Sequence, residues 1–190
     1  MDGLLLSFGV IFVAELGDKS QLMALAFAAR YRAVPVLIGI TVATAVVHAI
    51  SVAVGVVVGG AMPTDAISVV AGLAFLGFGL WTLRGDTLTA EEEARAQRST
   101  RSAVVAASVA FFLAELGDKT MLATITLATT EGAWGTWIGS TLGMVVADAL
   151  AIVVGSQLGA RLPERAIKIA AALAFFAFGV ALIAGGLSRS

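Results

Sequence analysis

Long runs of apolar residues, separated by short polar segments, dominate this chain. Six of these runs are long enough to cross a membrane, since a transmembrane helix needs about 20 predominantly apolar residues. They span residues 4–29, 34–61, 64–83, 103–130, 133–160 and 164–187. The pattern therefore predicts an all-α integral membrane protein with six transmembrane helices. The N-terminus lacks a basic segment, and its first apolar stretch leads into Glu15, Asp18 and Lys19 rather than a small-residue cleavage site, so we expect no cleavable signal peptide.

The second half of the chain repeats the first half at a spacing of 100 residues. Between residues 11 and 85, 28 of 75 positions carry the same residue as the position 100 further on. The chain thus divides into a three-helix repeat over 1–84, a linker over 85–102 and a second three-helix repeat over 103–190. Because three is an odd number, the second repeat enters the membrane from the opposite side. Two inverted repeats of this kind are typical of secondary transporters.

Composition supports a membrane protein and excludes several other classes. The chain has 190 residues, of which 59% are hydrophobic and 13% are charged, and its mean hydropathy is +0.98. A soluble domain carries about 25% charged residues, so an ordinary globular enzyme is excluded. The net charge of −1 offers no basic surface for nucleic acid. Without cysteine there is no disulfide, thiolate metal site or cysteine nucleophile.

Apart from Lys19 and Lys119, the basic residues fall almost entirely on one side of the predicted topology. Only Arg189 lies on the other side, and the positive-inside rule places the basic side in the cytoplasm and both termini outside it. We interpret the linker, with its acidic run Glu91–Glu93, as a solvated and in part helical cytoplasmic connection. The nine basic residues on the linker side are Arg30, Arg32, Arg84, Arg95, Arg98, Arg101, Arg161, Arg165 and Lys168.

Eight ionisable residues lie inside the predicted spans and away from their ends, where a charge is costly and usually marks an ion or proton path. Six of them form two matching motifs, and the remaining two occupy equivalent positions in the second span of each repeat. All lie near the predicted membrane midplane. They are Glu15, Asp18, Lys19, Glu115, Asp118 and Lys119 in the motifs, with His48 and Asp148 outside them.

The four motif carboxylates are candidate metal ligands. Their oxygens favour Ca²⁺, Mg²⁺ or Mn²⁺ over Zn²⁺ or Cu⁺. Together with the two lysines they carry a charge of −2, which one divalent cation would neutralise. Clustered carboxylates also bind protons, and metal binding expels those protons. The motifs therefore predict a site that exchanges a cation for protons.

The other site residues have predicted supporting roles. In a continuous helix, the Glu and Lys of each motif are four residues apart and would form a salt bridge. Gly17 and Gly117 weaken the helix and would permit local unwinding. Ser20 and Thr120 add hydroxyl oxygens. His48 and Asp148 are interpreted either as proton-coupling groups or as hydrogen-bonding residues between helices; the Glu–Lys pairs could also be purely structural ties.

Pairs of glycines four residues apart predict close helix contacts. Whether these contacts lie within one chain or between two chains is open, and with it the question of a homodimer. The pairs are Gly55 and Gly59, Gly139 and Gly143, and Gly155 and Gly159.

The doubled Glu-x-Gly-Asp-Lys-(Ser/Thr) motif, at residues 15–20 and 115–120, resembles the signature of the GDT-type manganese/calcium transporters. The resemblance covers essentially the whole chain and shows no departure from the motif. It implies antiport of Mn²⁺ or Ca²⁺ against protons, with the acidic motif residues as ligands, no cofactor, and manganese export across a prokaryotic inner membrane. Organellar members carry an additional targeting segment at the N-terminus; we expect none here, which suits a prokaryotic inner membrane.

Two other functions, export of a basic amino acid and intramembrane proteolysis, would also use acidic residues inside the membrane. An exporter of a basic amino acid would use the same acids for an ammonium or guanidinium group, although two lysines in the site oppose this. An intramembrane aspartyl protease needs two carboxylates that share a proton, and the adjacent lysines would keep both ionised. The choice between Mn²⁺ and Ca²⁺, the direction of transport, and one shared site or two all stay open.

Overall fold

A computed structural model describes residues 2–84, 88–97, 102–158 and 164–188. Every regular element in these ranges is a helix, which confirms the all-helical class. In chain order they are α1 (Asp2–Glu15), α2 (Lys19–Ala28), α3 (Ala33–Ala61), α4 (Thr64–Arg84), α5 (Ala90–Gln97), α6 (Ala103–Glu115), α7 (Lys119–Thr130), α8 (Ala133–Leu158) and α9 (Glu164–Leu187).

Four of these helices, α3, α4, α8 and α9, are long and apolar enough to cross a membrane on their own, and α6 is a shorter apolar helix. Two of the six predicted runs are not single helices. The run 4–29 is split into α1 and α2, and the run 103–130 into α6 and α7. At each break a glycine has a positive φ, 75° at Gly17 and 82° at Gly117. A right-handed helix does not continue through such a residue.

The main helix contacts join one repeat to the other, and equivalent helices of the two repeats make equivalent contacts. Helix α1 packs against α8, and its counterpart α6 packs against α3. In the same way α2 packs against α8 and α7 against α3, while α4 and α9 pack against each other. Each half thus completes its core with helices of the other half.

Close backbone contacts fix the relative directions of these helices. A Cβ at Gly139 would meet the backbone of Leu4 and Phe8, and one at Gly143 would lie 2.6 Å from the carbonyl oxygen of Phe8 and 3.0 Å from the nitrogen of Phe12. The contact partner advances along α1 as the glycine advances along α8, so these two helices run parallel. The predicted glycine contact face is therefore used within one chain.

Helices α4 and α9 run in opposite directions. Gly72 approaches the backbone of Gly179, and Gly186 approaches that of Asp65. Aromatic rings fill this interface, with Phe75 and Phe178 in an edge-to-face contact at 4.7 Å between ring centroids. Such pairs add about 0.5–1.5 kcal/mol beyond the area they bury.

The outer surface of the bundle is apolar, as a lipid-facing surface must be. Large hydrophobic side chains are exposed along the long helices, for example Val57 at 72%, Leu173 at 62% and Val180 at 59%. A soluble protein rarely exposes contiguous apolar surface on this scale. The chain is accordingly a membrane protein.

Part of the linker packs against the helical bundle and is not a purely solvated connection. Helix α5 packs against α2 and α6, and Leu88 packs against the hydrophobic core. Glu92 is only 6% exposed, so the expectation of a solvated segment is wrong at this residue. The structure does not describe residues 85–87 and 98–101 of the predicted linker, Gly159, Arg161 or Arg189. It also leaves out the side chain of Arg95 and the surroundings of Gly155.

Candidate functional site

The site is built at the two helix breaks. Helix α1 ends at Glu15 and α2 begins at Lys19, with Asp18 as the N-cap residue of α2. The second motif repeats this arrangement, with Asp118 as the N-cap of α7. Each break therefore places the motif Glu at a helix C-terminus and the motif Asp and Lys at a helix N-terminus.

Side chains further along α2 and α7 bind the backbone at the breaks. The N–H of Gly17 donates to Oε1 of Gln21 at 2.9 Å, and Nε2 of the same glutamine donates to the carbonyl oxygen of Ala147 at 3.0 Å. In the second motif the N–H of Gly117 meets Sδ of Met121 at 3.2 Å. Gln21 thus ties the first break to α8 beside Asp148. Gln21 could not be predicted from the sequence, since the N–H of Gly17 and the carbonyl oxygen of Ala147 become neighbours only when the break has formed.

The two motif glutamates are fully buried, at 0% and 1% exposed for Glu15 and Glu115. Each accepts a hydrogen bond from the hydroxyl five residues later, Ser20 to Glu15 and Thr120 to Glu115, the latter at 3.0 Å. The other carboxylate oxygen of each, Oε1, is buried without a hydrogen-bond donor among the described residues. Ser20 and Thr120 therefore hold each glutamate by one oxygen and leave the second oxygen available.

The lysines pair across the two motifs. Nζ of Lys19 lies 3.2 Å from Oδ1 of Asp118, and Nζ of Lys119 donates to Oδ1 of Asp18. The expected salt bridges between the Glu and Lys of one motif are wrong. They required a continuous helix, and residues 16–18 and 116–118 are not helical. The breaks turn each lysine away from its own glutamate toward the aspartate of the other repeat.

Asp148 and His48 lie on the facing helices α8 and α3, and both are buried. Neither oxygen of Asp148 has a hydrogen-bond donor within the described part of the chain. Its charge lies within electrostatic reach of Glu15, Asp18 and Glu115. Nδ1 of His48 lies 3.5 Å from Oγ1 of Thr141, a contact that joins α3 to α8. Asp148 therefore belongs to the carboxylate group electrostatically, whereas the contact described for His48 is a link between helices.

The buried site has more carboxylates than cations. Five acids, Glu15, Asp18, Glu115, Asp118 and Asp148, share the interior with the ammonium groups of Lys19 and Lys119. Yet no three acidic or histidine side chains in the described ranges gather closely enough to hold a metal ion. In this conformation the lysine ammonium groups neutralise the two aspartates and occupy the positions that a metal ion bound to those aspartates would take.

One further acid, Glu92 of α5, reaches the site from the linker. Its Oε1 lies 3.3 Å from Nζ of Lys19. Partial burial alone would raise the pKa of Glu92, but hydrogen bonds from Thr89 and the charge on Lys19 bring the pKa below its ordinary value. Glu92 is therefore a carboxylate at neutral pH. This role of Glu92 was not predicted from the sequence. The spacing Thr89-x-x-Glu92 is nevertheless that of a capping box and predicts a helix beginning at this point.

Comparisons with known proteins relate the whole chain to one family. The profile of the family described as "Divalent cation/proton antiporter GDT1" matches residues 3–90 and 103–190. A Vibrio cholerae protein named "Putative manganese exporter" is 36% identical over 171 residues, which cover 88% of this chain and 84% of the relative. No solved structure matches the chain.

Two further relatives carry the family name itself. A GDT1-like protein of Synechocystis is 33% identical over 189 residues, covering 90% of this chain and 91% of the relative. The chloroplastic GDT1-like protein 2 of Oryza sativa is 32% identical over 213 residues, covering 96% of this chain and 61% of the relative. These matches confirm the family resemblance and make the chain a transporter rather than a protease or another enzyme. The chain belongs to the GDT1 family of divalent cation/proton antiporters.

Proposed function

We propose that this protein exports Mn²⁺ across a prokaryotic inner membrane in exchange for protons. The observation that carries the proposal is the crossed pairing of Lys19 with Asp118 and of Lys119 with Asp18. It brings both copies of the motif into one buried site and neutralises each aspartate with a cation that can be replaced. Family membership and the name of the Vibrio relative support a divalent cation, and manganese in particular, as the substrate.

The cation would bind to the oxygens of Glu15, Asp18, Glu115 and Asp118. A divalent cation that takes up these oxygens must displace the ammonium groups from the aspartates, so binding requires the lysine side chains to move and the carboxylates to draw closer together. The buried Oε1 atoms of both glutamates, without donors in the described part of the chain, supply further ligand oxygens. Oxygen-only ligation suits Mn²⁺ and Ca²⁺ alike.

Proton exchange follows from the charge balance. Five buried carboxylates face two ammonium groups, and uncompensated buried charge is strongly unfavourable. The excess is neutralised either by protons or by a divalent cation, and an oxygen that binds the metal cannot also carry a proton. We assign Asp148 to this proton coupling, supported by its burial and its proximity to the motif acids, with His48 in a supporting position.

The membrane topology that we propose is six spans arranged as two inverted three-helix repeats. The parallel direction of α1 and α8, together with the antiparallel pair α4 and α9, supports this arrangement. Exposed Arg30, Arg32, Arg84 and Arg165 lie at helix ends that this topology assigns to the cytoplasm, on the same side as α5. Both termini would then lie outside the cytoplasm.

Flux in proteoliposomes with an imposed pH gradient tests the proposal, with Mn²⁺ and Ca²⁺ offered separately. We expect gradient-driven Mn²⁺ flux in the native protein and its loss in Asp18→Asn and Asp118→Asn. Asp65→Asn, which neutralises an acid in the first turn of α4, is the matched control and should transport normally.

Two results would contradict the proposal. Folded native protein that carries neither metal under the gradient would exclude the exchanger. Flux of lysine that Mn²⁺ fails to compete with would instead support an exporter of basic amino acids.

A further inference from the structure

We propose that Glu92 receives the ammonium group of Lys19 when a divalent cation takes the place of that group on Asp118. Glu92 is then a positioning residue for cation binding, held outside the membrane-spanning helices by the linker. This inference rests on the proposed function and assigns a role to a residue that lies in neither motif.

The distances describe an ammonium group shared between two carboxylates. Nζ of Lys19 lies 3.2 Å from Oδ1 of Asp118 and 3.3 Å from Oε1 of Glu92. A small movement of this flexible side chain toward Glu92 would free the oxygen of Asp118 without leaving the ammonium group unpaired. An unpaired ammonium group in a largely buried position is strongly destabilising, so the second partner lowers the free-energy cost of cation binding.

Glu92 is prepared for this role by the turn in which it lies. Its Oε2 accepts a hydrogen bond from the N–H of Thr89 at 2.8 Å, and its own N–H donates to Oγ1 of Thr89 at 3.2 Å. These two bonds form a capping box at the start of α5. One carboxylate oxygen is therefore fixed to the backbone while the other faces Lys19, and the residue is only 6% exposed.

The contact also breaks the symmetry of the two repeats. Helix α5 lies in the connection between them and packs against α2 of the first repeat and α6 of the second. The lysine of the first motif is thus coupled to the linker, on the side that the proposed topology assigns to the cytoplasm. A cation that is to be exported must be loaded from that side.

The test is Mn²⁺ binding to the full-length protein in detergent, followed by the loss of the electron paramagnetic resonance signal of free Mn²⁺. We expect Glu92→Gln to weaken binding about tenfold or more, since a hydrogen bond between charged groups is lost. Glutamine is also accepted in a capping box, so α5 should keep its N-terminal cap. Glu93→Gln is the matched control, because it removes the same charge from an exposed neighbouring position.

A second comparison separates the transfer of the ammonium group from general attraction between Glu92 and the metal. In a Lys19→Met background there is no ammonium group to receive, so Glu92→Gln should cause no further weakening. This cycle isolates the coupling between the two residues.

Two results would overturn the inference while leaving the proposed function intact. One is native Mn²⁺ affinity in Glu92→Gln, and the other is equal weakening by Glu92→Gln with and without Lys19. If the native protein binds no Mn²⁺, the proposed function itself is contradicted. The inference about Glu92, which rests on that function, is then contradicted as well.

Discussion

At the scale of single residues, Asp148 is a buried carboxyl group that finds no hydrogen-bond donor among the described residues. It is 0% exposed, and both its oxygens lack a hydrogen bond within the described ranges. Such a group lowers the stability of a fold, since burial removes its water and nothing in the described structure replaces that water. A residue retained at this cost is a candidate for function, because functional sites often trade stability for activity.

We predict that Asp148→Asn makes the protein more stable and a poorer transporter. The amide carries no charge and can donate to the neighbouring carboxylates, which should raise the free energy of unfolding by about 1.5–3 kcal/mol, the range for a hydrogen bond to a charged group. Thermal unfolding in detergent and Mn²⁺ flux in proteoliposomes measure the two effects, with Asp65→Asn as a control expected to change neither. Normal flux in a stabilised Asp148→Asn protein would exclude a part in transport.

Most residues of the candidate site could be predicted from the sequence, because charges inside apolar runs are conspicuous and the motif occurs twice. The pairing of those residues could not be predicted. Lys19 meets Asp118 only because residues 16–18 leave the helix, and a spacing of four residues alone favours the partner within the motif. Glu92 was missed because it belongs to a polar linker whose composition is that of a solvated segment.

At the scale of elements, the glycine breaks determine the site. At Gly117 the φ of 82° lies in the left-handed region, and a Cβ there would meet nothing within 4 Å. The glycine is therefore required by its backbone conformation and not by lack of space. Sequence reasoning could predict the weakness of the helix at this point, but two apolar runs of normal length gave no indication that the helix ends there.

We predict that Gly117→Ala destabilises the protein by about 1–2 kcal/mol, the cost of placing an L-residue in the left-handed conformation. Gly9→Ala is the matched control: Gly9 also has open space around its Cβ position, but it lies within α1. Alanine there should be neutral or slightly stabilising, as it is in most helices. The midpoint of thermal unfolding measures both variants, and equal midpoints would show that the break does not depend on glycine.

At the scale of the whole molecule, the two halves depend on each other for their cores. The sequence repeat predicted two equivalent halves, and the fold packs α1 against α8 and α6 against α3. The sequence could not predict this packing between the halves, since a repeat indicates which helices each half contains but not which helices they contact. The parallel direction of α1 and α8 supports opposite orientations of the two halves.

We predict that a cysteine at the start of α4 is accessible from outside the cell and that a cysteine in the following linker is accessible only from the cytoplasm. The chain has no cysteine, so single cysteines can be labelled without a background. In intact cells a membrane-impermeant thiol reagent should label Thr64→Cys, while Ala90→Cys should react only after the cells are opened. Both positions are exposed. Labelling of both from outside would exclude the proposed orientation.

The crossed ion pairs also have a consequence for the ancestry of the protein. Each half supplies an ammonium group that its own aspartate does not use, so a single half is electrostatically incomplete. An ancestral polypeptide with a single repeat could have formed these ion pairs only as a dimer whose two subunits had opposite orientations in the membrane. Fusion of two such copies would have made the association permanent and allowed them to diverge, and the repeats do differ at His48 and Asp148.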